Sequence, residues 1–244
     1  MDVVFIALLT VVASSIGVLT GFGTSTVMLP VAVLFYPVPE ALLLVGVVHW
    51  FGNLWKLALF HEGVRWRLIL GFGIPGIALS ALGAWLVLSS PPVFLGRVVG
   101  GLLAGYATFL LRHDAFRIAP SVRNMLLGGG AYGFTAGLTG VGGAVRSAFL
   151  TAFELRKAVF IVTSGAIGLF IDTSRLAVYL GGGIALSARL WWGMLLFIPA
   201  SLLGAHLARV VADYIPEERF RAFVAVFLLV AGLKLLILPE VFVQ

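Results

Sequence analysis

Long apolar runs separated by short polar or glycine-rich breaks make up almost the whole chain. In the first half they cover residues 3–20, 24–36, 41–60, 68–88 and 94–111, and in the second 125–139, 141–153, 158–180, 190–211 and 220–238. A hydrocarbon core about 30 Å thick is crossed by roughly 20 residues of helix, so there is room for about eight to ten crossings. Backbone groups in lipid need partners within the protein, which predicts helices. The runs are too long and too continuously apolar for barrel strands. The runs 24–36 and 141–153 are each 13 residues. At 1.5 Å per residue they reach only about 20 Å and read as half-helices or re-entrant pieces.

A glycine-rich break precedes each short run: Gly21-Phe22-Gly23 and Gly140-Val141-Gly142-Gly143. The breaks belong to longer matches. Leu19-Thr20-Gly21-Phe22-Gly23 returns as Leu138-Thr139-Gly140-Val141-Gly142, and Leu82-Gly83-Ala84-Trp85-Leu86 as Leu203-Gly204-Ala205-His206-Leu207, at offsets of 119 and 121. Matching order and nearly matching offset indicate an internal duplication. The expected division is a first transmembrane repeat over 1–111, a cytoplasmic linker over 112–123 and a second repeat over 124–244.

Charge orients these segments. Arg65 and Arg67, then Arg112, Arg117 and Arg123, then Arg156 and Lys157, then Arg209, Arg219 and Arg221 fall on alternate connections. The other connections hold Asp2, Glu40 and Glu240, with only Arg97 and Arg189. Basic loops stay on the cytoplasmic side, which predicts both termini outside and two repeats that enter from opposite sides. The fold expected is therefore an all-α polytopic membrane protein with two inverted-topology repeats, each carrying a glycine-broken half-helix. In transporters of this kind the binding site lies near the membrane midplane, where the broken helices meet.

Composition narrows the classes. Of 244 residues 61% are hydrophobic and 11% charged, with a mean hydropathy of +1.13, unlike any soluble domain of this size. The first 20 residues lack a basic start and carry Asp2, so they read as a helix rather than a signal peptide. Zero cysteines exclude disulfide and thiolate chemistry. The net charge of +6 is dispersed between apolar segments, as membrane topology requires, and forms no nucleic-acid face. His61-Glu62-Gly63-Val64-Arg65 begins like a zinc-protease helix but has Arg65 where the second histidine is needed, and there is no nucleophile elbow or Walker sequence. No metal or cofactor is expected, and transport without an ATP-binding motif must be a channel or a gradient-driven carrier.

An anion leaving water needs fixed donors, and helix N-termini supply them with a favourable dipole. The candidates are Gly21, Gly23, Thr24, Ser25 and Thr26 at the first break and Gly140, Gly142, Gly143, Arg146 and Ser147 at the second. The hydroxyls of Thr24, Ser25 and Thr26 can also cap the half-helix. Close helix packing is the alternative for the glycines, as for Gly129, Gly133 and Gly137. Arg146 lies inside a membrane segment at a cost of about 2.5 kcal/mol or more unless paired or hydrated. It is a candidate anion ligand, or else it pairs with Asp172 or snorkels. Asp172 and Arg175 are three apart on one helix and can pair; Asp172 is alternatively a proton-coupling group. His49, Asn53 and Lys56 form a polar stripe that faces the bundle interior, touching substrate or bonding helices together, with snorkelling open to Lys56. Thr163 and Ser164 line the pathway or bond their own helix.

These residues together carry a family resemblance. Gly140-Val141-Gly142-Gly143, Thr163-Ser164 and Leu203-Gly204-Ala205-His206-Leu207 in the second half, with Gly21-Phe22-Gly23, Pro30, Val64-Arg65-Trp66 and Leu82-Gly83-Ala84-Trp85-Leu86 in the first, resemble the TauE/SafE sulfite-exporter family, also called the toluene sulfonate uptake permeases. The pattern departs at Gly23-Thr24-Ser25, at Gly46-Val47, at Phe149 and at Arg146. The resemblance implies transport of a small sulfur-containing anion such as sulfite, sulfoacetate or another organosulfonate. The expected partners are that anion and the bilayer, with a homodimer left open. A carrier for another small anion, a scaffold and an intramembrane enzyme are the alternatives.

Overall fold

The computed structural model describes residues 3–20, 23–60, 63–112, 119–211, 226, 229–230 and 232–237. Among these residues there are nine α-helices and no strand. They are α1 (Val3–Thr20), α2 (Ser25–Ala32), α3 (Val38–Leu59), α4 (Trp66–Ser89), α5 (Pro92–Arg112), α6 (Val122–Thr139), α7 (Gly143–Leu150), α8 (Lys157–Gly181) and α9 (Ala188–Val211). Helices α3, α4, α8 and α9 are each long and apolar enough to cross a membrane. The chain is a multi-pass, all-α membrane protein. Of the run expected at 220–238, residues 226, 229–230 and 232–237 are helical, and Gly232 lies against the backbone of Gly100 and Ala104 on α5.

The molecule is apolar outside and charged within. Trp66, Ile74, Leu195 and Trp192 stand on the surface, the last 75% exposed, while the two largest fully buried side chains are Arg146 and Arg175. This inverts the arrangement of a protein in water and suits a hydrocarbon solvent.

Packing crosses between the halves. Helix α1 lies on α9 and α6 on α4, α3 crosses α8, and α3 also meets α9 as α8 meets α4. Glycine sets how close they come. A Cβ added at Gly129, Gly133 or Gly137 of α6 would overlap the backbone of Phe72, Gly76 or Ser80 on α4, and one at Gly204 of α9 would overlap the Val11 carbonyl of α1. The Leu-Gly-Ala motifs of the sequence are thus helix contacts: Gly83 fits against α6 and Gly204 against α1. Numbers rise together along α4 and α6, so these helices run parallel. Along α3 and α8 they run opposite: Gly46 meets Arg175, His49 meets Asp172, Asn53 meets Gly168 and Lys56 meets Gly165.

The two short helices are shorter than expected, eight residues each, or about 12 Å. Residues 33–35 form turns instead of extending α2, and Thr151–Phe153 form a single 3-10 turn after α7. Each begins after a glycine in the left-handed region, Gly23 at φ +86° and Gly140 at φ +69°. Every residue of α2 is buried. Protein, not lipid, surrounds this break, as irregular backbone at membrane depth requires.

Candidate functional site

The central contact of the bundle is the crossing of α3 and α8, and it is made of polar side chains. The Asp172 carboxylate, fully buried, accepts on both oxygens. Its Oδ2 lies 2.7 Å from His49 Nδ1 and 2.8 Å from Asn53 Nδ2, and its Oδ1 accepts from Arg175 Nε at 2.8 Å with Nη2 at the same distance. Lys56 Nζ donates to Asn53 Oδ1 at 3.1 Å. His49 and Asn53, one turn apart on α3, therefore hang from one carboxylate on α8, and Lys56 a turn further is tied to it through Asn53.

Helix α7 brings Arg146 to this crossing. Its Nη1 donates to the Tyr132 hydroxyl at 3.0 Å, the guanidinium stands 4.9 Å over the Tyr132 ring, and a Cβ at Gly168 would fall 2.7 Å from Nη1 and 2.6 Å from Asn53 Nδ2. Arg146 and Asn53 thus share the gap left by Gly168. Counting His49 as neutral, the cluster holds, among the described residues, three buried basic side chains, Lys56, Arg146 and Arg175, against one carboxylate. Like charges gathered away from water repel strongly, and a bound anion is the direct way to relieve them.

Both glycine breaks open onto this cluster. A Cβ at Gly23 would overlap His49 Nε2, which is buried and has no hydrogen-bond partner among the described residues. A Cβ at Gly140 would stand 3.5 Å from Arg175 Nη1, also buried without such a bond. Ser25 Oγ and Ser164 Oγ are unpartnered in the same way. Gly142 and Gly143 are buried at the start of α7, Gly142 packing on the Tyr132 ring. A cavity of about 230 Å³ reaches Thr139 and Gly142 from the side of α5, where Gly101, Leu103 and Tyr106 line it.

Most sequence candidates meet here, and some take other roles. Gly21 lies outside the described residues. Thr24 occupies the N-cap position of α2 but makes no capping bond; its hydroxyl donates to Ser14 Oγ at 3.4 Å. Thr26 and Ser147 are buried within α2 and α7. The buried Thr163 hydroxyl accepts from the Arg65 N–H at 3.3 Å and ties α8 to the start of α4. Lys56 does not snorkel, being 3% exposed and bonded inside the cluster. Arg175, expected only as a partner for Asp172, also reaches the second break, and Tyr132 was not expected at all. For Arg175 the available signal was its place three residues after Asp172; a tyrosine on a glycine-rich helix gives none.

One numerical relation ties the cluster together. The shift of 119 positions that carries Gly23 onto Gly142 also carries Gly46, His49, Asn53 and Lys56 onto Gly165, Gly168, Asp172 and Arg175. It turns the contact of Gly46 with Arg175 into that of Gly165 with Lys56, and the contact of His49 with Asp172 into that of Gly168 with Asn53.

No curated protein matches the chain. Against descriptions of protein families, residues 6–235 match the family described as sulfite exporter TauE/SafE, nearly the full length. Apolar on its outside and matched over nearly its whole length, the chain is a membrane transporter and belongs to the TauE/SafE sulfite-exporter family.

Proposed function

We propose that this transporter carries a small sulfur-containing oxyanion, sulfite, sulfoacetate or another organosulfonate, across a bacterial inner membrane by alternating access. The observation that carries the reading is that, among the described residues, buried basic side chains outnumber carboxylates at the α3–α8 crossing, between the two breaks. A guanidinium suits the oxygens of a sulfite or sulfonate group by forked hydrogen bonding, and the breaks add backbone donors at helix starts. The substrate-binding residues in this reading are Gly23, Thr24, Ser25, Thr26, His49, Asn53, Gly140, Gly142, Gly143, Arg146, Ser147 and Ser164.

Two inverted repeats that rock against each other about this crossing form the moving parts. Support comes from the shift of 119 positions, from the reciprocal packing of α1 on α9 and α6 on α4, and from the antiparallel crossing of α3 and α8. Both termini lie outside in this reading, in accord with the arginine-bearing connections.

Reconstituted in liposomes, the protein should show saturable flux of sulfite or an organosulfonate that chloride does not match. A flat response across sulfur oxyanions would sink the substrate assignment. Because the chain has no cysteine, a single cysteine introduced near either terminus reports the orientation: labelling from the periplasmic side is expected, and labelling only from the cytoplasm reverses the topology.

A further inference from the structure

His49 has a position that anion binding alone does not explain. Its Nδ1 is 2.7 Å from Asp172 Oδ2, an ionised acceptor, so Nδ1 carries the hydrogen and Nε2 is the bare lone pair. That lone pair is buried, without a partner among the described residues, and faces the backbone of Gly23 at the first break. An acceptor aimed at an anion is repulsive; the same nitrogen with a proton is a charge-assisted donor. Asp172 is badly placed to be the proton carrier itself, since both its oxygens already accept hydrogen bonds.

The surrounding charges set the sense of the coupling. Asn53 and Lys56 approach from His49's own helix, Asp172 and Arg175 from α8, Arg146 from α7 with Tyr132 of α6 behind it, and the uncharged Gly23 and Thr24 from the first break. Among the described residues three basic side chains stand against one carboxylate, and they oppose a further positive charge on the imidazole. An anion among them reverses that sign. From the cradling of His49 between Asp172 and the first break, we infer that His49 takes up a proton on Nε2 when the anion binds, so that proton and anion cross the membrane together. The inference rests on the anion-carrier reading above. Coupling is reciprocal: the anion draws in the proton, and the proton tightens the anion. The proton enters from the water on the side where the anion enters and leaves with it on the other, and a proton gradient then drives the anion along its own direction.

The test uses sulfoacetate, whose own acid groups stay ionised near neutral pH, and the full chain with His61, His113 and His206 each replaced by glutamine, leaving one imidazole. At about pH 7.5, nitrogen NMR of that imidazole should pass from the neutral to the protonated form as sulfoacetate saturates the protein. Binding, followed separately by calorimetry, should weaken roughly tenfold per pH unit above neutrality, the dependence of a reaction that takes up one proton. In His49→Gln the pH dependence should shrink to less than twofold. An imidazole that stays neutral while sulfoacetate is bound overturns the inference, as does an unchanged pH slope in His49→Gln. Should that variant fail to fold, the single-histidine protein decides alone. No calorimetric binding of sulfoacetate or sulfite to any form would instead overturn the anion-carrier reading and this inference with it.

Discussion

The two halves of the bundle use equivalent positions for different chemistry. In the first, the long helix supplies the side chain over the break, His49, and the short helix is uncharged, with Val27 where the shift of 119 positions puts Arg146 in the second. In the second half the long helix leaves a gap at Gly168, and Arg146 of the short helix fills it. By the same shift Asn53 corresponds to Asp172, and Lys56 to Arg175. Positions related by the shift of 119 therefore differ in their electrostatics: one break meets an imidazole and hydroxyls, the other guanidinium groups. The permanent charge is concentrated on the second half and the titratable group on the first.

Four substitutions test how much this asymmetry matters, beginning with the largest effect. Asp172→Asn makes the two halves alike at one pair and removes the carboxylate that offsets three cations. An uncompensated buried charge costs about 3–5 kcal/mol, so thermal unfolding in detergent should report a loss of that order. Arg146→Val copies Val27 into the second short helix. Loss of a charged hydrogen bond to the anion, about 1.5–3 kcal/mol, should weaken sulfoacetate binding about 10- to 100-fold in calorimetry, with Arg146→Lys recovering part of it. Retained affinity would make Arg146 a structural partner of Tyr132 only. Gly140→Ala places a side chain in the left-handed region at about 1–2 kcal/mol and within 2.8 Å of Leu42 Cδ2. It should lower the unfolding temperature more than Gly52→Ala, where an added Cβ meets only the Thr24 hydroxyl at 3.2 Å. Ser25→Ala has the smallest effect. Its hydroxyl has no partner within the described residues, so stability should hold while anion affinity falls by about 0.5–1.5 kcal/mol, a few-fold to tenfold. An unchanged affinity would leave the first break contributing backbone alone.

Much of the scaffold was legible in the chain because bilayer physics writes it in apolar lengths. The breaks at Gly23 and Gly140 have left-handed backbone that favours glycine, and the short runs after them did fold as short helices, giving way to turns at 33–35 and a 3-10 turn at 151–153. The polar stripe of α3 was also visible as a stripe. Its meaning was not: that His49 and Asn53 share one oxygen of Asp172 depends on the antiparallel register of α3 and α8, and helix periodicity carries no register between helices. Lys56 was open to snorkelling because a lysine near a helix end usually finds water, and only the Asn53 bond, bridging it to the crossing, holds it inside. Thr163, open between lining the pathway and bonding its own helix, accepts from the backbone of Arg65, a contact between elements that no local pattern encodes.

The exchange of partners between the halves also governs the order of assembly during synthesis. Ser15 of α1 donates to the Gly204 carbonyl of α9, 189 residues further along. As α1 leaves the ribosome, the surface it is shaped to fit does not yet exist, and nearly the whole polypeptide must be threaded through the insertion machinery before Val11, Ser14 and Ser15 can close on Gly204. Until then the groove side of α1 must be covered by lipid or by the translocon itself. Two separately expressed halves would accordingly have to find each other in the plane of the membrane, and neither would complete its packing alone.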